Sequence, residues 1–133
     1  MKDLLFVYGT LRKDLRNSMF HLLAREARFV ERARVPGLLF ELGDYPGFVS
    51  TPERDAWVHG EVYALDCPHQ TLARLDEYEA CAPDDPEPHE FERIQTRVTL
   101  QSGRSENAWV YVYRGSTAGK HRIVSGDYFR EAR

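Results

Sequence analysis

The stretch Trp57-Val58-His59-Gly60-Glu61-Val62-Tyr63-Ala64-Leu65-Asp66-Cys67-Pro68 changes its periodicity partway along, and that change sets the class of fold. Up to Leu65 the residues alternate. Trp57, Glu61 and Tyr63 fall on one side and Val58, Val62 and Ala64 on the other, which is the pattern of a β-strand. Asp66-Cys67-Pro68 then starts a helix, because proline suits a first helical turn and the residue before it can cap. Leu72 and Leu75 carry an apolar stripe along this helix to about Tyr78.

Downstream, Ala82–Glu90 holds three prolines and reads as a loop. Two strands follow with no helix between them, Glu92–Gln101 and Asn107–Arg114, joined by a turn at Ser102-Gly103-Arg104. Upstream, Leu4–Tyr8 is a short apolar run stopped by Gly9, the pattern of a strand buried on both faces. Phe20, Leu23 and Ala27 recur at helical spacing, so Asn17–Ala27 reads as a helix capped by Asn17 or Ser18. Val35-Pro36-Gly37 is a turn, Leu38–Leu42 a short strand, and Gly43-Asp44-Tyr45-Pro46-Gly47 a loop. Five or so strands with two helices and no regular alternation give an α+β fold. The expected architecture is a small, mixed, partly closed β-barrel with two flanking helices.

Size and composition narrow the function. The chain has 133 residues, a net charge of −3, 42% hydrophobic and 29% charged residues, and no visible repeat or linker. One domain spanning 1–133 is expected. Lys and Arg are scattered rather than clustered, so nucleic acid is not an expected partner. No run approaches the ~20 apolar residues that cross a bilayer, and Leu4–Tyr8 is too short for an export core. Cys67 and Cys81 are the two cysteines. Without a CxxC or paired histidines they read as reduced thiols in the cytoplasm, with no metal site. Ser50, Ser116 and Ser125 lack a GxSxG elbow, the five histidines pair with no nucleophile, and phosphate-cradling glycine motifs are absent. A monomer is the default.

Three segments are left to carry chemistry. In Tyr8-Gly9-Thr10-Leu11-Arg12, a strand ending in glycine can turn so that successive backbone N–H groups point at one anion. A plain strand-to-loop turn is the alternative. In Leu75-Asp76-Glu77-Tyr78-Glu79, Glu79 lies four residues after Leu75 and seven after Leu72, and so continues the apolar stripe. Burial there raises a carboxyl pKa toward neutrality; a frayed helix end would leave it in water. The loop residues Asp84, Asp85, Glu87, Glu90 and Glu92 read as a solvated acidic run, with attraction of a cationic substrate as the alternative. Trp109, Tyr111 and Tyr113 share one strand face and read as core or barrel lining.

Taken in order, these segments resemble the gamma-glutamylcyclotransferase-like family, which includes the gamma-glutamylamine cyclotransferases. The resemblance runs through Val7-Tyr8-Gly9-Thr10-Leu11-Arg12, Tyr45-Pro46-Gly47, Val58–Leu65 and Leu75-Asp76-Glu77-Tyr78-Glu79. It continues through Arg93–Leu100, Ala108–Tyr113 and Ser125-Gly126-Asp127-Tyr128. It implies a mixed β-barrel with a cavity at one side. It also implies that Tyr8, Gly9, Thr10 and Leu11 hold the glutamyl portion of a small-molecule gamma-glutamyl substrate, and that Glu79 is the catalytic acid/base. Tyr45, Tyr111 and Tyr113 are candidates for the cavity wall, and Asp76 carries no catalytic role. The implied reaction is intramolecular cyclisation releasing 5-oxoproline and a free amine, with no cofactor. A non-catalytic carboxylate-binding module and amide hydrolysis by water are the alternatives.

Overall fold

A computed structural model describes residues 3–9, 25–43, 45–51, 55–79 and 81–128. Thr10, Leu11 and most of the helix expected over Asn17–Ala27 lie outside the described residues. Among the described residues the elements run in the order β1 (Leu4–Val7), β2 (Ala27–Pro36), β3 (Leu38–Glu41), β4 (Pro46–Val49), β5 (Trp57–Leu65), α1 (Pro68–Tyr78), β6 (Phe91–Leu100), β7 (Ser105–Tyr113) and β8 (His121–Arg122), and residues 25–26 just before β2 are helical.

The sheet runs β1-β5-β2-β6-β7-β4-β3-β8, and a parallel contact between Leu5 and Trp109 joins β1 back to β7. Five strands therefore close a barrel. The remaining three extend from the far part of β7, where Phe48 pairs with Val112. The α+β reading holds, and closure removes the free edges that a five-stranded open sheet would expose.

Strand alternation builds two apolar layers. Inside the barrel, Phe6, Tyr8, Val35, Val58, Val62, Val98 and Val110 pack with Leu39, Phe48 and Ile123. On the outer face, Leu5, Val7, Tyr63, Leu65, Phe91 and Tyr111 pack with Leu72 and Leu75 of α1. Each fully buried aliphatic or Phe side chain is worth about 1.5–3 kcal/mol relative to exposure. Trp109 and Tyr113 flank the second layer, so the aromatic face of β7 lies beneath α1 and does not line the barrel interior.

Two elements differ from the sequence reading. Residues 27–36 form a ten-residue strand, where a helix had been expected to run to Ala27. A register shift between Phe29 and Glu31 breaks its alternation, and only from Ala33 onward do buried and exposed residues alternate cleanly. Pro46-Gly47, read as loop, opens β4. The proline stands first in its strand, where a missing N–H is tolerated. The start of α1 differs in detail as well: Cys67 occupies the N-cap position without a side-chain cap, and Pro68 fills the first turn.

Candidate active site

The site lies where β1, β4, the start of β6 and the end of α1 meet. Tyr8 follows β1 and points into the barrel. Its hydroxyl donates to the Tyr111 carbonyl (2.6 Å) and accepts from the Phe48 N–H (3.2 Å). That side chain ties β4 to β7, which occupies its hydroxyl on both sides. Burial pushes the phenol pKa well above its usual value, and the charge of Glu79 raises it further.

Gly9 is buried next to Pro46. A Cβ built on it would stand 2.5 Å from Pro46 Cγ and 2.9 Å from Cδ. The glycines with positive φ are Gly43, Gly103, Gly119 and Gly126, so Gly9 is required by close packing and not by a left-handed backbone. That packing also links the Tyr-Gly and Tyr-Pro-Gly segments, which are far apart in sequence, as two halves of one contact.

The C-terminal end of α1 carries Asp76 and exposed Glu77, and Glu79 caps it three residues after Asp76. Asp76 is clamped: one oxygen accepts from Arg93 Nε (2.8 Å) and from the Tyr111 hydroxyl (2.7 Å), and the other from Arg93 Nη2 (3.1 Å). The guanidinium of Arg93 in turn lies over the Trp109 ring, 4.4 Å from its centroid. Such a bidentate, stacked pair fixes geometry and leaves the carboxylate no spare role.

Glu79 is treated differently. It terminates the helix, its N–H donating to the Leu75 carbonyl (2.8 Å). Among the described residues none donates a hydrogen bond to its carboxylate. Burial, and then the charge of Glu90, push its pKa up to about 7. A carboxyl poised there exchanges protons readily near neutral pH.

Glu90 is exposed, as the reading of a solvated acidic loop expects, yet it has a partner and a neighbour that the sequence does not show. It precedes β6, accepts a hydrogen bond from the Tyr45 hydroxyl (2.5 Å), and acts electrostatically on Glu79. That bond to Glu90, followed by burial, pushes the Tyr45 pKa up to about 12. Its neighbour Glu92 is engaged elsewhere, in an ion pair with Arg114. A carboxylate just before a strand that starts with the buried Phe91 was the available signal for Glu90.

The other candidates sort by partner. Tyr111 spends its hydroxyl on Asp76, and Tyr113 donates to the Ser116 carbonyl (3.2 Å). Tyr45, Phe91 and Tyr113 form a run of ring contacts at 6.0 and 5.7 Å. Cys81 sits beside this end of α1, its thiol pushed up to about 12 by burial and then by Asp76 and Glu79. It is a neutral thiol, not a nucleophile. Among the described residues no group of three or more His, Cys, Asp or Glu is placed to hold a metal ion, and no helix is long and apolar enough to cross a membrane.

Comparison with known proteins follows the same line. The profile of a family described as gamma-glutamyl cyclotransferase, AIG2-like, matches residues 5–130. A Vibrio cholerae protein provisionally assigned as a gamma-glutamylcyclotransferase is 36% identical over 132 residues, covering 96% of this chain and 96% of that protein. Gamma-glutamylaminecyclotransferase A of Danio rerio is 32% identical over 114 residues, covering 80% of this chain and 66% of its own. YkqA of Bacillus subtilis is 44% identical over 80 residues, 59% of this chain, and the match spans 27% of YkqA. The crystal structure of YkqA superimposes with a TM-score of 0.73 at 29% identity, covering all of this chain and 44% of that one. The chain belongs to the gamma-glutamyl cyclotransferase, AIG2-like family.

Proposed function

We propose that this member of the gamma-glutamyl cyclotransferase family cyclises a gamma-glutamyl amide, releasing 5-oxoproline and a free amine, with Glu79 as acid and base. The observation that carries this reading is the Glu79 carboxyl, half-buried at a helix end, free of donors among the described residues and raised to about 7.

The chemistry asks for little else. The substrate α-amine attacks its own γ-carbonyl carbon, a C–N bond closes a five-membered ring, and the γ-amide C–N bond breaks. Holding the two reacting groups together supplies much of the rate, since effective molarities of oriented intramolecular reactions reach ~10⁵ M or more. A free α-amine titrates near ~8, so most of it is protonated at pH 7 and a proton must leave before attack. Glu79 takes that proton and returns one to the departing amine. At an unshifted pKa of ~4.3 a glutamate would be a poor base for this. Burial at the end of α1 removes the mismatch.

Tyr8, Gly9, Thr10 and Leu11 are assigned to the glutamyl portion, through backbone groups after β1. Two acidic side chains at one site, Glu79 and Glu90, favour a leaving amine that carries positive charge. The name of the Danio rerio relative, a gamma-glutamylamine cyclotransferase, agrees with that preference.

The test is 5-oxoproline release from gamma-glutamyl amino acids and gamma-glutamyl amines, with Glu79→Gln in parallel. The reading expects release that the substitution abolishes, fastest with cationic amines. Glutamate in place of 5-oxoproline would show hydrolysis instead. Full activity of folded Glu79→Gln would refute the role of Glu79.

A further inference from the structure

Away from Glu79, the outer face of the barrel carries an open groove of about 440 Å³ between β2, β5 and the turn joining β6 to β7. Arg32, Arg34, His59, Thr99 and Gln101 contribute its polar lining. The groove lies at the Leu100 end of β6, whereas Glu90 precedes the Phe91 end. Nine strand rises separate the two, about 30 Å.

Register explains why the basic groups converge. Arg32 and Arg34 are two residues apart on one strand and therefore share a face, about 6.5–7 Å from each other. His59 of β5 stands opposite Arg34 on one side, and Thr99 of β6 on the other. The guanidinium of Arg34 lies 4.2 Å from the Trp57 ring centroid, a stacked arrangement that orients the fork and leaves its edge donors open.

Glu61 stands opposite Arg32 in the β2–β5 register, but no carboxylate of the described residues comes within ion-pair distance of either guanidinium. The nearby carboxylates are occupied: Glu31 accepts from the Ser102 N–H and hydroxyl and pairs with Arg104, while buried Glu61 accepts from Tyr63. Two guanidinium groups side by side repel each other, and in a chain with 21 acidic residues a carboxylate partner was readily available. A bound anion would reverse the sign of that interaction. Two planar forks offer more donors than the two oxygens of one carboxylate can accept, and they suit the oxygens of a phosphate. A volume of this size falls in the range of small-molecule sites and exceeds the needs of a bare ion.

We propose that the groove lined by Arg32, Arg34 and His59 binds the phosphate of a phosphorylated small molecule. The test is calorimetry on the whole chain with inorganic phosphate, pyrophosphate, adenosine monophosphate and, as a dicarboxylate control, glutarate. Pyrophosphate and the nucleotide should bind, and glutarate should bind at least tenfold more weakly. Arg32→Gln and Arg34→Gln should each weaken phosphate binding about tenfold or more, as expected for loss of charge-assisted hydrogen bonds. Arg34→Lys, which keeps the charge and loses the fork, should fall between wild type and Arg34→Gln. Because these side chains are exposed and outside the Glu79 site, 5-oxoproline release without added phosphate should stay within about twofold. No binding of any phosphate probe, binding that survives both glutamine substitutions, or equal binding of glutarate would overturn the proposal.

Discussion

Asp76 and Glu79 stand within one turn of each other on the same helix, carry the same charge, and meet opposite surroundings. Asp76 takes two hydrogen bonds from Arg93, one from Tyr111 and a long one from the Cys81 thiol (3.9 Å), and Arg93 is itself held against Trp109. Glu79 takes none from any described residue, and instead faces burial and the charge of Glu90. Desolvation and a like charge disfavour the charged form of a carboxyl, and both act on Glu79. The helix end thus ties one acid into a hydrogen-bonded clamp and leaves the other without a donor among the described residues, as the proposed acid/base role of Glu79 requires. The difference comes from partners, not from residue type.

The comparison breaks most visibly at Glu79. Glu79→Gln should lower kcat/KM for 5-oxoproline release by about 10²–10⁴, the usual contribution of a general acid/base. The same substitution should leave the fold intact, and its effect on stability should depend on pH. The Glu79 pKa lies above its unfolded value of 4.5, so the neutral form is the one that the folded state prefers. The stabilisation is complete below 4.5 and is lost as pH rises through about 7. Urea denaturation at pH 8 should therefore find Glu79→Gln more stable than wild type by about 1–3 kcal/mol. At pH 4 that advantage should vanish.

Asp76→Ala should do the reverse, damaging the fold more than the chemistry. It strands Arg93 and the Tyr111 hydroxyl, and removing one partner of a buried pair costs about 3–5 kcal/mol, less at this half-buried position. Equilibrium unfolding should show a loss of about 2–4 kcal/mol at neutral pH. Wild-type stability in Asp76→Ala would mean that the clamp does not hold this helix end against β6 and β7.

A third substitution tests the floor of the site. Gly9→Val puts side-chain atoms into Pro46, where a Cβ alone would lie 2.5 Å from Cγ. Overpacking of this kind costs about 1–3 kcal/mol, and displacement of the β1–β4 contact should abolish binding of 5-oxoproline by calorimetry. Unchanged affinity would remove the Tyr8–Leu11 segment from the site.

The smallest effect should come from Glu90. In Glu90→Gln the like charge that raises Glu79 is gone, so the acidic limb of the kcat/KM profile should move to lower pH while burial keeps it above an ordinary glutamate. A limb that stays in place would show that Glu90 does not act on Glu79.

Legibility in the sequence followed the same physical divide. Elements fixed by local pattern were readable: β5 and α1 occupy Trp57–Leu65 and Pro68–Tyr78, as alternation, the proline and the Leu72–Leu75 stripe implied. β2 was not, because the shift between Phe29 and Glu31 interrupts the alternation that would have revealed it. β4 was hidden by Pro46 and Gly47, residues that usually mark turns. Here Gly47 is needed because a Cβ would meet Leu42 at 2.6 Å and Tyr113 at 3.0 Å. Helical spacing put Glu79 in line with Leu72 and Leu75; in the structure the helix ends at Tyr78 and Glu79 is its half-buried cap. The roles of Asp76 and Glu90 could not be read, since each depends on a partner brought from elsewhere in the chain: Arg93 and Tyr111 in one case, Tyr45 in the other.

The most direct test of the account is the titration of the Glu79 carboxyl itself. Carbon-13 NMR of glutamate side-chain carboxyls, with Glu79→Gln to assign the signal, follows that one group across the pH range. The account predicts a midpoint at about 7. A midpoint near 4.5 would place Glu79 in solvent and contradict its assignment as the acid and base.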